Sequence, residues 1–427
     1  MSDDNAKDHA KLSPSGAKRW MTCPGSVKLV EDLNIVDVPS VYAAEGTVAH
    51  EVHEQCLLKE LNANAFLGKT IKADGMSFTV NEDMVKAVQL SLDYIRDRIY
   101  GFEAQGYDVV LIVEERVSLE HLGVAGMDGG TADVILMVYN QGQLIEIEII
   151  DYKHGAGVAV EPEDNPQAMS YALGALAMPS VKEPEWVEVI TVTISQPRAI
   201  HHRGPIRSWT TTYDYLIDWQ DNQLVPAAKE THNPNAKIVA SVEGCKFCPA
   251  AGQCSAIYGA TQETAMLDFD EFTDESDLPD VRVMTEQQKM FVMQNADMIR
   301  SFLVAVENQV KIEVDHGSTA YEHGYKLVER TTQRKLTEDA TDEDFSPLLD
   351  YLQPEDLYER KVCSLSSLED KLKKVLKDRK VKPVGPAVKA IMEQVTTKAP
   401  GELVIAPISD TRPAILPTII SDFTNLD

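Results

Sequence analysis

The chain has 427 residues, 44% of them hydrophobic and 25% charged, a balance that suits a soluble globular protein of two or three units. It excludes disorder along the whole length, and no apolar run approaches the ~20 residues that span a bilayer. Forty Lys and Arg face 68 Asp and Glu, a formal charge of −28, which excludes a general basic coat for nucleic acid but not a local positive groove. Residues Met1 to Asp8 have no apolar signal region, so a cytoplasmic location is expected. Six cysteines are too few for a disulfide scaffold and read first as metal or redox chemistry.

In chain order, Ser13-Pro14-Ser15 caps a short helix containing Trp20, stopped by Cys23-Pro24-Gly25. Helices are expected from about Ala43 to Leu61 and from about Glu82 to Tyr100, the second with Met84, Val88, Leu90, Leu92, Ile95 and Ile99 along one stripe. Three β-rich runs follow, Asp108 to Val117, Thr131 to Tyr139 and Gln143 to Tyr152, the last two joined by Asn140-Gln141-Gly142. A helix from Pro166 to Met178 and a strand from Trp186 to Ser195 complete an α/β (α+β) pattern, a mixed sheet flanked by helices. Residues 201–244 look less regular, and cysteines occupy 245–254. Thr261 to Val281 holds eight acids and no Lys or Arg, which reads as a solvated linker. A long helix from Thr285 to about Val314, a strand-like Tyr325 to Val328 and a basic helical segment from Lys371 to Lys382 make up the rest. The expected organisation is an N-terminal segment 1–42, a core 43–200, a cysteine region 201–258, an acidic linker 259–284 and a mainly helical C-terminal domain 285–427.

The chemistry gathers at Gly130-Thr131-Ala132-Asp133 and Asp151-Tyr152-Lys153. Asp151 and Lys153 alternate onto one face of a strand, and Asp133 on the partner strand reaches the same end. Two carboxylates and an ammonium suit a hard cation, Mg²⁺ or Mn²⁺, and phosphodiester hydrolysis. Asp-x-Lys alone is commonly a surface pair. His50, inside a helix, adds a nitrogen donor, and Gln167 and Tyr171 share a helix face; singly these read as structural.

Together, Gly46 with His50, Gly130-Thr131-Ala132-Asp133, Asp151-Tyr152-Lys153 and Gln167-x-x-x-Tyr171 resemble the RecB-type branch of the PD-(D/E)XK nuclease superfamily, with its restriction-endonuclease-like core. The phrases Leu12-Ser13-Pro14-Ser15, Ala43-Ala44-Glu45-Gly46-Thr47 and Glu163-Asp164-Asn165-Pro166-Gln167 are similar to those of a phage-encoded RecB-like family of unknown function. So are Gly324 to Val328 and Ser409 to Pro413, which carry no known mechanism. The resemblance implies that His50, Asp133, Asp151 and the Tyr152 carbonyl hold the metal, that Lys153 positions the attacking water, and that Gln167 and Tyr171 line the site or brace Lys153. Glu114 is a candidate further acid, or a surface carboxylate. The first acid lacks a preceding Pro, as in other RecB-type members with Gly-x-x-Asp.

Cys245, Cys248 and Cys254 are spaced for one metal centre and need a fourth thiolate. Cys23 is the best candidate. One cysteine before the core and three after it resembles the iron–sulfur nucleases of the RecB type, including AddB and the CRISPR adaptation nucleases. That implies a 4Fe–4S cluster stapling the two ends of the domain; spacing alone leaves four-thiolate Zn²⁺ open. Cys56 and Cys363 read as buried thiols.

Other signals fail. Gly68-Lys69-Thr70 lacks the first glycine of a P-loop, and His50-Glu51-Val52-His53 is one residue short of a zinc-protease helix. His201-His202-Arg203 reads as a solvated basic loop rather than a phosphate contact, and Lys371–Lys382 as an amphipathic helix with a charged outer face. The expectation is a metal-dependent DNA nuclease, an exonuclease or end-processing enzyme of phage recombination or replication, with replication or recombination proteins docking on the C-terminal domain and no membrane partner. The alternatives are a catalytically weak DNA-binding or scaffold protein with the same fold and a zinc-bound interaction module.

Overall fold

Ser13 starts the first helical element of the computed structural model, which describes residues 11–35, 40–265, 285–315, 320, 365–379 and 384–392. Its hydroxyl accepts from the Gly16 N–H, and a 3-10 turn leads into α1 (Ala17–Thr22) and then α2 (Gly25–Asp32). Ser40 caps α3 (Val41–Leu58), so the helix starts earlier than the apolar pattern suggests. It ends before Glu60, which adopts a φ of 52°. A hairpin not expected from the sequence follows, β1 (Thr70–Ala73) and β2 (Met76–Thr79), turning on Asp74-Gly75 with φ of 50° and 76°. Asp-Gly was the available signal for that turn. Asn81 caps α4 (Glu82–Glu103), which buries Met84, Val88, Leu92 and Ile95.

The sheet runs β3 (Asp108–Val117), β4 (Gly130–Asn140), β5 (Gln143–Tyr152), β6 (Val189–Ser195) and β7 (Ile206–Thr211), in that spatial order. Only the β5–β6 pair is parallel, and α5 (Pro166–Leu176) makes the crossover a parallel pair requires. Gln141-Gly142, with φ of 50° and 84°, closes the expected β4–β5 hairpin. Trp186 falls in a 3-10 turn opened by Pro184, so β6 is shorter than its apolar run.

Both faces of the sheet are covered, which is why its central strands read as near-continuous apolar runs. Ile135, Met137, Ile147 and Ile149 pack with Trp20 and α5. Val134, Leu136, Ile150 and Tyr152 pack on the opposite face with α3 and α4. Glu148, fully buried, accepts from Arg98 Nε at 2.7 Å, Tyr94 Oη at 2.8 Å and Thr193 Oγ1 at 2.6 Å. A buried carboxylate is tolerated where its lone pairs are satisfied in this way.

The stretch 201–244 is more regular than its composition suggests. It holds β7, α6 (Tyr213–Trp219), a π turn, α7 (Val225–Glu230) and the start of α8 (Val242–Cys245). Part of the expected acidic linker is helical, since α9 (Ser255–Ala265) continues to 265; residues 266–284, Tyr325 to Val328, Cys363 and the Ser409–Pro413 phrase lie outside the described residues. The chain divides into two units, 1–344 and 345–427. Helix α10 (Glu286–Asp315) belongs to the first, because Met298 packs with Cys245, Cys254 and Ile257. The second unit holds α11 (Leu365–Asp378) and α12 (Val384–Met392). Among the described residues no helix is long and apolar enough to cross a membrane.

Candidate metal centre

The first half of β4 and the middle of α3 bring Asp133 and His50 together. Gly129 enters β4 at a φ of 99°, and a Cβ there would stand 1.9 Å from the Val117 carbonyl oxygen; only glycine permits that approach. From β4, Asp133 Oδ1 lies 3.4 Å from His50 Nδ1, and Oδ2 accepts the Tyr152 N–H at 2.7 Å.

Glu114 completes the group. The β3–β4 ladder keeps one register from Val113–Val134 to Glu115–Ala132, so Glu114 stands opposite Asp133, at a φ of 50°. Left-handed backbone is costly for a residue with a Cβ and persists where surrounding structure imposes it. One ligand atom each from His50, Glu114 and Asp133 lie within 4.8 Å of one another. The three line an open cleft of about 370 Å³ with Ala43, Gly46, Thr47 and Thr131.

Asp151 lies beside this group. Its Oδ2 lies 2.9 Å from Lys153 Nζ, and it is not one of the three that close to 4.8 Å. Two buried carboxylates repel one another, and the ammonium is the available counter-charge. Burial, followed by the Asp133 charge, raises the Asp151 pKa despite Lys153. For Asp133, burial is outweighed by His50, Lys153 and the Tyr152 N–H, so its pKa falls. Burial opposes the charge on His50, yet Asp133 and Asp151 carry its pKa above the usual histidine value. The ammonium of Lys153 is likewise held charged against burial by both acids.

Asp151 Oδ2 is buried and lacks a hydrogen bond of good geometry despite the nearby ammonium. An orphan carboxylate oxygen beside a His–Glu–Asp group is what an oxygen-seeking cation would satisfy. The donor set therefore fits Mg²⁺ or Mn²⁺.

The expected support around Lys153 is present. Lys153 Nζ donates to Gln167 Oε1 at 3.1 Å, and Gln167 Nε2 donates to Tyr171 Oη at 3.3 Å. Asn165 accepts the Ala168 N–H and Pro166 occupies the first turn, which starts α5 at the right place for Gln167. Gly130 keeps Tyr171 close, since a Cβ there would lie 3.2 Å from its ring.

The ring of Tyr152 has a role the sequence did not suggest. It stacks on His53, centroids 4.9 Å apart at 9°, and meets His50 edge-on at 5.3 Å. Burial lowers the His53 pKa to about 4, and burial with Arg198 does the same for His154. Tyr152 Oη and His154 Nδ1 share a hydrogen bond at 2.9 Å. On the other side of His154 lies Glu45, 3.7 Å from Nε2, itself paired with Arg198 at 3.2 Å. These rings hold the orientation of the His50 imidazole.

His201 and Arg203 form ion pairs with the segment before α5. His201 lies 2.8 Å from Glu161, and Arg203 pairs with Glu161 and Glu163. They tie the β6–β7 connection to the segment that precedes α5, with His202 and Arg203 exposed.

Cys23, Cys245 and Cys254 are buried and Cys248 is half-buried. Cys23 Sγ accepts the Val239 N–H at 3.1 Å and Cys245 Sγ the Ser241 N–H at 3.3 Å. Burial raises the pKa of the Cys245 and Cys248 thiols, and the charge of Cys23 raises both further. Gly25 allows the contact of Cys23 with Val239: a Cβ would lie 2.7 Å from the Ala236 carbonyl oxygen and 2.8 Å from that of Lys237. Among the described residues, no three of the sulfurs lie within 4.8 Å of one another. Zinc–sulfur bonds of about 2.3 Å would draw them closer than that. Cys56 is a buried thiol, as expected.

Residues 9–413 match the family described as Protein of unknown function (DUF2800).

Proposed function

We propose that this chain, which belongs to the DUF2800 family, is a metal-dependent DNA nuclease, an exonuclease or end-processing enzyme. The observation that carries the reading is the convergence of His50, Glu114 and Asp133 at one cleft, next to the Asp151–Lys153 pair. His50, Glu114 and Asp133 would hold Mg²⁺ or Mn²⁺, with Asp151 joining through its orphan oxygen. When bound, such an ion activates water and neutralises charge on the scissile phosphate. Lys153, held by Asp151 and Gln167, orients the attacking water and steadies negative charge as the phosphorus–oxygen bond to the leaving group breaks. Gln167 and Tyr171 fix the ammonium, and Tyr152 fixes the His50 ring.

The four thiols would hold a 4Fe–4S cluster. Support comes from the burial of Cys23, Cys245 and Cys254 and the N–H groups aimed at two sulfurs; Zn²⁺ is the rival. The cluster would act as a staple, not in the hydrolysis. DNA would be the partner, phage recombination or replication the setting and the host cytoplasm the compartment.

Incubating the purified chain with labelled DNA and Mn²⁺ tests the reading. Cleavage that disappears in Asp151→Ala and in Asp133→Ala supports it. DNA binding without cleavage in the native chain would favour a binding or scaffold protein, and cleavage unchanged by either substitution rules out this site.

A further inference from the structure

At about 370 Å³ the cleft holds far more than an ion, and its α3 wall of Ala43, Gly46 and Thr47 carries no charge. Tyr42, Gly46 and His50 follow one another at i, i+4 and i+8 on α3, and so form one row along the helix surface. His50 ends that row at the triad. Gly46 sits in the middle of it, and a Cβ there would meet nothing within 4 Å. No packing within the folded chain therefore requires glycine, although glycine inside a helix is destabilising relative to alanine. Tyr42, one turn further out, is 85% exposed. It stands about 12 Å from His50 along the helix axis, which leaves room for one nucleotide between ring and metal.

We propose that this row is a subsite for one nucleotide next to the scissile phosphate. The phosphate lies at the metal beside His50, the deoxyribose crosses Gly46 and the base stacks on the Tyr42 ring. Each part follows from the wall it meets. A hard divalent ion takes phosphate oxygens. The missing Cβ lets the sugar approach the helix backbone, as glycine does wherever a ligand comes close. An exposed aromatic ring beyond a phosphate site suits a base, whose π-face stacks whatever its sequence. Tyr42 alone would be an ordinary exposed residue; the glycine gap and the triad on the same row give it an occupant. A base inside a duplex is already stacked, so the subsite takes an unpaired or extruded nucleotide. The inference rests on the nuclease reading and names how the same cleft receives its substrate.

The test uses the full chain with Mn²⁺ and two probes that hold no phosphodiester bond to cleave, deoxyadenosine monophosphate and deoxyribose phosphate, each titrated by calorimetry. The native chain is expected to bind the nucleotide about five- to a hundredfold more tightly than the sugar phosphate, through the stacked base. Tyr42→Ala should remove that preference without changing the affinity for the sugar phosphate, and Tyr42→Phe should keep it. Gly46→Ala should weaken both probes about fivefold or more, because the added methyl group fills the gap. Its Mn²⁺ affinity should stay native, and the thermal midpoint of the metal-free variant should not fall, since alanine favours the helix. A lowered midpoint would make Gly46 a structural residue and overturn the proposal. Equal native affinity for the two probes, or no binding of either at millimolar concentration, also overturns it. So does a preference that survives in Tyr42→Ala. If the probes behave as expected but the native chain never cleaves DNA with Mn²⁺, the subsite stands and the nuclease reading falls. Cleavage lost in Asp133→Ala, with native probe binding in Tyr42→Ala and Gly46→Ala, gives the reverse.

Discussion

Glu114 on β3 and Asp133, opposite it on the neighbouring strand, place carboxylate oxygens within 4.8 Å of one another and of a His50 ring nitrogen. Glu114 holds this position at a φ of 50°, where glycine would rest without strain. Strain retained beside two other ligand groups is the mark of a functional position. Glu114→Gly should therefore leave the thermal midpoint of the metal-free protein unchanged or higher, while Mn²⁺ affinity measured by calorimetry falls by about tenfold or more. Native-like Mn²⁺ affinity in this variant would remove Glu114 from the ligand set.

Lys153 and Gln167 should separate in kinetics. Lys153→Met removes the ammonium and is expected to lower kcat by about a hundredfold or more. Gln167→Ala leaves the ammonium but frees it, so kcat should fall about tenfold with little change in KM. Gln167→Glu keeps an acceptor for Lys153 and should recover part of the loss. A Gln167→Ala effect confined to KM would make Gln167 a substrate contact instead.

Acid should destabilise the protein through His53 and His154. Both have folded pKa values lowered to about 4 from 6.5, so the unfolded chain binds more protons between those values. Stability from these groups is present above pH 6.5 and lost as the pH falls toward 4, at about 3 kcal/mol each. His50 has the opposite sign: its raised pKa adds stability below 6.5 that is lost as the pH rises through the folded value. Urea unfolding of the metal-free chain from pH 7 to pH 4 should show a net fall, smaller in His53→Leu. A flat profile would mean that one of the buried rings is charged.

Gly25 should control the cysteine region. Gly25→Ala forces the segment at Cys23 away from residues 236–239, a backbone shift worth about 1–3 kcal/mol. The variant should lose iron on anaerobic purification while cleavage motifs on β4 and β5 stay folded. Iron retained at the native level would show that Cys23 is not held through this contact.

Much of the sheet was legible in the chain because two covered faces impose long apolar runs, and because Asn140-Gln141-Gly142 marks its own hairpin. Asp133, Asp151 and Lys153 were legible for a related reason, since strand alternation assigns them a common end. Gln167 and Tyr171 followed from their helical spacing. Glu114 was legible only as a candidate further acid or a surface carboxylate, because nothing in Val-Glu-Glu-Arg-Val marks the left-handed backbone at that position. Strand β7 and the α6–α7 region, whose short polar elements owe their form to packing, were not legible.

Local pattern determined where strands and helices lie and which residues share a face, because period and capping act over a few positions. Tertiary structure alone decided that His53 stacks on Tyr152 and Tyr152 meets His50 edge-on, that Glu114 joins His50 and Asp133, and that Cys23 reaches Val239. Each depends on groups far apart in sequence whose charge and shape meet only after the chain has folded, and no local rule encodes such a meeting.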